Sequence, residues 1–181
     1  RTDELRQENG RWRFKSRRSA PWPTWDLGTT GQWGIHSTEQ APGALSVADR
    51  LEIHELFARY FYAEDTGQVE PWVDTYTRDG SFTNRTGKSW VGRDVLTRFA
   101  IERSKRPDLG QCLHWINNVM ISPTDEGARA RSGMMLVEKK PEGFGIWTMP
   151  AKLDELRQED GQWRFKFRQF QPWPSWEQGR S

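Results

Sequence analysis

Three histidines and one cysteine are the side chains of this 181-residue chain best suited to proton transfer or nucleophilic attack near neutral pH. His36 lies in the Gly-, Thr- and Pro-punctuated stretch 29–45 and reads as part of a linker. His54 sits between Ile53 and Glu55 on a helical pattern, on its solvent side. Cys112, on a β-type segment, reads as a small buried hydrophobe rather than a nucleophile. His114 differs from all of these. In QCLHWINNVMI it shares parity with Cys112, Ile116 and Asn118, while Leu113, Trp115, Asn117 and Val119 take the other face. Either face is mainly apolar, so His114 is expected to be buried, as a satisfied core histidine or as a site. Asp65 is the candidate partner that favours a site. It follows an apolar stripe in YFYAEDTG, at a helix C-terminus where the dipole disfavours a carboxylate, so an acid there invites a reason. Glu64 beside it reads as solvated surface. A histidine held by a carboxylate is a minimal general-base dyad: the carboxylate sets the tautomer and stabilises the imidazolium, and the second ring nitrogen takes the proton.

The elements that must position this pair follow from periodicity. Ser46 and Asp49 resemble a capping box, and Ile53, Leu56, Phe57, Tyr60 and Phe61 keep helical spacing, which predicts a helix over 47–64 ended by Thr66-Gly67. A short helix is expected over 68–76, a turn at Asp79-Gly80, a short strand around Phe82 and a third helix over 93–103. Beyond Pro107 come four β-segments, 111–121, 128–140, 145–157 and 162–171. Helices first and an antiparallel meander after predict an α+β fold: a curved antiparallel sheet forming a cone with three N-terminal helices and an internal pocket.

The chain also repeats itself. DELRQENGRWRFKSRRSAPWPTWDLG (3–28) and DELRQEDGQWRFKFRQFQPWPSWEQG (154–179) align without a gap, with about 17 of 26 positions identical. Each reads as a β-hairpin turning at the Asn/Asp-Gly. An offset of 151 residues is domain-sized, far beyond a solenoid period. The organisation expected is an extra hairpin (1–28), a linker (29–45) and a domain over 46–181. The hairpin is a remnant of a tandem duplication, an element swapped into a neighbour, or a tail joined from elsewhere.

Composition narrows the function classes. Eleven tryptophans and 13% aromatic residues exclude disorder of the whole, but six of those tryptophans belong to the repeat. There is no apolar run of membrane-spanning length and no secretory h-region, so a cytoplasmic protein is expected. The net charge of +2 resides in the first 28 residues, which carry seven basic and four acidic side chains; the body lacks the basic stripe of a nucleic-acid binder. P-loop, GxGxxG, HExxH and GxSxG signatures are absent, and no cofactor or metal is expected.

The segment VADRLEIHELFARYFYAEDTGQVEPWVDTYTRDGSF…VGRDVLTRF, with the LHW strand and the closing DGQWRFKFRQF strand, resembles the SnoaL-like branch of the nuclear transport factor 2-like superfamily. The resemblance implies the same α+β cone and relatives such as scytalone dehydratase, dehydrochlorinases and polyketide cyclases. Its catalytic Asp and His positions fall on Asp65 and His114. It adds Tyr60, five residues before the Asp, as a polarising group, and Arg168 on the last strand as a pocket residue. The second histidine of scytalone dehydratase has no counterpart in Ser132-Gly133-Met134-Met135. The expected function is a cofactor-independent lyase of dehydratase, dehydrohalogenase or cyclase/isomerase type. Trp115, Met134, Met135, Phe82, Trp147 and Phe170 are expected as walls for a small hydrophobic or aromatic substrate. The alternative is a non-catalytic ligand-binding or assembly subunit. The open sheet face, which in this fold another subunit usually covers, implies a homo-oligomer.

Overall fold

In the computed structural model, residues 2–9, 11–18 and 45–171 are described. The chain divides into two compact units, 1–36 and 37–181. The expected linker 29–45 lies, but for Leu45, outside the described residues, as do His36 and the last ten residues.

The first unit contains an antiparallel hairpin, β1 (Thr2–Glu8) with β2 (Arg11–Arg18), turning with Asn9 at φ 51°. Its register slips between Glu4 and Leu5, where Glu4 faces Ser16 and Leu5 faces Phe14.

The second unit begins at α1 (Val47–Thr66). Ser46 Oγ accepts the Asp49 N–H at 3.0 Å and Asp49 accepts the Ser46 N–H at 2.9 Å, the reciprocal capping box the pattern predicts. The helix buries Ile53, Leu56, Phe57, Tyr60 and Phe61, leaves His54 exposed, and ends on Gly67 at φ 69°. Two further helices follow, α2 (Val69–Val73) and α3 (Arg93–Ser104). Between them lie β3 (Tyr76–Thr83) and β4 (Ser89–Val91). Asp79-Gly80, expected as a turn, lies inside β3, where the register with the last strand slips between Tyr76 and Ser81. A Cβ on Gly80 would lie 2.9 Å from the Phe165 and Thr77 carbonyl oxygens, so the close approach needs glycine.

The meander is β5 (Cys112–Thr124), β6 (Gly127–Lys140), β7 (Gly143–Thr148), β8 (Ala151–Glu159) and β9 (Gln162–Gln171). The single strand expected over 145–157 is therefore two. Pro150 has no N–H for a ladder, and its carbonyl accepts from Met134 N at 3.0 Å. On either side of it, β7 and β8 pair with successive stretches of β6. The curved, unclosed sheet runs β4-β3-β9-β8-β6-β5, with β7 on β6 and the β3–β9 contact parallel. Its concave face and the helices enclose an aromatic core in which Phe57, Tyr60 and Tyr76 surround Phe165, with ring centroids 5.1–6.0 Å away.

The trailing hairpin turns on Asp160 and Gly161 at φ 54° and 74°, positive values at both turn positions, as a two-residue turn of this type requires. Its register slips between Glu155 and Leu156, the positions equivalent to Glu4 and Leu5 in the first unit. The bulge at Lys166 reverses the side-chain parity of β9. Trp163 and Phe165 are buried before it, and Arg168 after it, with Phe167 turned to the other face. The alternation expected for Trp163, Phe165 and Phe167 on one face therefore fails at Phe167.

Candidate active site

A cavity of about 300 Å³ opens where the end of α1, the end of α3 and the concave face of the sheet meet. Asp65 enters from the last turn of α1 and His114 from β5. Asp65 Oδ1 lies 2.5 Å from His114 Nδ1, and its Oδ2 accepts the backbone N–H of His114 at 3.0 Å. The carboxylate thus grips both the ring and the strand that carries it. Both side chains are nearly buried, at 12% and 11% exposure, and the imidazole stacks on Phe61 with centroids 5.2 Å apart. With Nδ1 engaged, Nε2 is the nitrogen left for chemistry.

Glu64, expected as solvated surface, instead lines the cavity and forms an ion pair with Arg103 of α3 at 2.6 Å. Burial alone would raise its pKa, but the charges of His114, Arg103, Lys152 and Arg168 outweigh burial and hold the carboxyl below its usual value. Cys112 also reaches the cavity wall. Burial, with Asp108 and Glu138 nearby, raises its thiol pKa, the opposite of what an activated nucleophile needs.

Four of the expected wall residues, Phe82, Met134, Trp147 and Phe170, line the cavity. Trp115 and Met135 do not. They pair across β5 and β6 on the opposite face, and Trp115 is 62% exposed, because strand alternation that turns His114 and Met134 inward must turn their neighbours outward. Trp147, next to the outward-facing Ile146, has the inward parity, and the slip between the Leu136–Thr148 and Val137–Ile146 pairs brings Thr148 to the cavity face as well.

Tyr60 and Arg168, expected to touch substrate, lie in the core rather than on the cavity wall. Arg168 has no exposed surface. Its Nε and Nη2 donate to Asp154 at 2.8 and 3.3 Å, and its guanidinium lies 4.0 Å from the Tyr60 ring centroid and 4.1 Å from that of Phe165. The parity change at Lys166 buries it. Tyr60 meets Tyr76 hydroxyl to hydroxyl at 3.4 Å, and burial holds its phenol well above the ordinary range, so it is a weak acid at neutral pH. Burial likewise raises Asp154 despite the Arg168 charge beside it.

Nothing in the sequence singles out Lys152. It is buried, with Nζ 3.5 Å from the centroid of Phe170 and 5.4 Å from that of Phe82, two rings that line the cavity. Burial, and then the charge of Arg168, lowers its pKa to about 7. Among the described residues no group of three or more His, Cys, Asp and Glu side chains is placed to hold a metal ion.

A curved, mostly antiparallel sheet with three helices and a pocket on its concave side is the NTF2-like fold. The SnoaL-like domain family matches residues 45–169, and the chain belongs to it. A solved structure described as a putative scytalone dehydratase, from Novosphingobium aromaticivorans, is 21% identical, with a TM-score of 0.56 over 68% of this chain and 83% of that one. Among solved structures, a protein of unknown function from Mycobacterium tuberculosis is 26% identical, with a TM-score of 0.61 over 70% of this chain and 77% of that one. An NTF2-like protein with a cystatin-like fold from Novosphingobium aromaticivorans is 22% identical, with a TM-score of 0.64 over 71% and 84%. A protein from Catenulispora acidiphila, solved in complex with S-DNPA, is 22% identical, with a TM-score of 0.60 over 69% and 95%. No curated protein matches the chain. Among the described residues no helix is long and apolar enough to cross a membrane.

Proposed function

We propose that the domain is a cofactor-independent lyase of the dehydratase, dehydrohalogenase or cyclase/isomerase type acting on a small hydrophobic or aromatic substrate. The observation that carries this is the 2.5 Å contact between His114 Nδ1 and Asp65, made by residues on the wall of a cavity that also presents five Phe and Trp rings. Asp65 accepts the Nδ1 proton, so Nε2 holds the lone pair and removes a proton from substrate carbon or oxygen. The imidazolium that forms is stabilised by the same carboxylate. Phe82, Trp90, Phe99 and Phe170 supply flat apolar walls. The two-point grip of Asp65 on His114 holds the base in place before substrate arrives, the preorganisation a general base requires. Tyr60 and Arg168 support this site from behind: the Arg168–Asp154 pair and the aromatic cluster around it brace the helix that carries Asp65 and the strand that carries Phe170.

The test is solvent deuterium exchange into aryl ketones that fit the cavity. Exchange by the parent protein should disappear in His114→Ala and fall by about 100-fold or more in Asp65→Asn. Equal exchange in parent and variants would leave the cavity as a ligand-binding site of a non-catalytic subunit.

We also propose self-association through the outer sheet face. Leu113, Trp115, Phe144 and Ile146 are exposed there on β5 and β7, with Leu113, Val137 and Ile146 in one cross-strand row. A contiguous set of large apolar side chains is unfavourable in water and favoured at an interface.

A further inference from the structure

The cavity wall carries three carboxylates and three arginines, and most of these charges are spent on one another. Asp65 holds His114, Glu64 holds Arg103, and Asp108 accepts from Nε and Nη2 of Arg106. Arg85, on the segment after β3, has no carboxylate partner among the described residues. Its Nη1 donates instead to Thr148 Oγ1 at 3.0 Å. The contact holds the exposed guanidinium beside Thr148 without neutralising it, and a single Nη1 contact leaves other N–H donors free.

Thr148 gives this charge a defined place relative to the dyad. His114 faces Leu136 across β5 and β6, and Leu136 faces Thr148 across β6 and β7. All three side chains line the cavity, in one row across three strands. Two strand spacings of about 4.8 Å separate His114 from Thr148 by roughly 10 Å. The stretch between them is apolar, with Leu136 on the floor and Met134 and Trp147 beside it. At one end of the row sits a histidine held by a carboxylate, and at the other a positive charge without one.

We propose that Arg85 is a specificity-determining residue that anchors a carboxylate on the substrate. The substrate class is then a flat aromatic anion whose acidic group lies about two ring lengths from the carbon presented to His114. This deepens the proposed function and rests on it for the role of His114, but anion binding at Arg85 is measurable without any turnover. Thr148 acts through Arg85 and is a positioning residue.

Isothermal titration of the full chain with 2-naphthoate and with its neutral counterpart 2-naphthalenemethanol tests the assignment. The parent should prefer the carboxylate by about fivefold at low salt, a preference that shrinks at 0.5 M NaCl. Arg85→Met should abolish the preference while leaving affinity for the alcohol within about twofold, and Thr148→Val should reduce it partly. Arg98→Met, which removes an exposed arginine of α3 that does not line the cavity, should leave it intact. The proposal is overturned by a parent without preference, by an intact preference in Arg85→Met, or by equal weakening of both ligands in a folded Arg85→Met protein, which would make the side chain mere wall. Loss of the deuterium-exchange result would sink the dyad while leaving the naphthoate comparison to stand or fall separately.

Discussion

Individual side chains in the concave half of this protein are placed against their ordinary preferences, and Lys152 is the plainest case. Its amine is buried against Phe170, with a pKa lowered to about 7 from an unfolded value of 10.5. Below pH 7 the lysine is charged in both states, and the folded protein bears the whole cost of burying that charge. Between pH 7 and 10.5 the unfolded chain holds the extra proton, so stability rises with pH across that window. Replacing Lys152 with Met should therefore stabilise the domain by roughly 2–4 kcal/mol at pH 6, a gain that fades towards pH 10. Urea unfolding at three pH values checks this, and a pH-independent difference would refute the assignment. The His114–Asp65 pair was legible at this scale because its residue types are rare and their positions unusual. Glu64, Lys152 and Arg85 were not, since charged residues are usually solvated and only the fold brings these three to the cavity or its supporting wall.

Secondary-structure elements deliver those side chains, and small irregularities decide which way they point. The capping box and apolar stripe make α1 readable from local pattern alone, down to the break at Thr66-Gly67. Gly67 closes the helix two residues after Asp65 in a left-handed conformation, and a Cβ there would come 2.6 Å from Leu109 Cδ2. Gly67→Ala should cost about 1–2 kcal/mol by thermal unfolding, from backbone strain and this contact together. A change below a few tenths would mean that the helix end shifts freely. The bulges were illegible. One extra residue at Lys166 reverses every later side chain of β9, and the slip at Trp147 brings Thr148 to the cavity face. Alternation predicts faces only while the ladder stays in register, and bulges depend on how a strand must curve.

At the scale of the whole molecule, the sheet is open, and its outer face exposes Leu113, Trp115, Phe144 and Ile146 on β5 and β7. Sedimentation equilibrium should find a dimer or larger assembly, and Leu113→Glu with Trp115→Glu should return it to a monomer that keeps its fold. A monomeric parent would remove the proposal. The two hairpins belong to this scale as well. Their shared sequence yields the same turn position and the same bulge in each unit, so the irregular geometry of β8 and β9 is encoded within some 17 residues. Whether one hairpin descends from the other is a matter of the chain's history, and the matching bulge follows from the shared sequence either way.

Sequence alone determined the helix–sheet order, the cap and end of α1, the turn residues of both hairpins and the pairing of a histidine with an acid. Each of these depends on neighbours within one or two turns of helix or along one strand, where periodicity and backbone preference act. Tertiary structure decided what the pocket is. Pro150 divided a strand, bulges reversed faces, Arg168 and Tyr60 went into the core, and Glu64, Lys152 and Arg85 were drawn to the cavity or its supporting wall. Those outcomes turn on which distant segments compete for the same buried space and on which charges find partners there, and both are settled only when the sheet curves and the helices close on it.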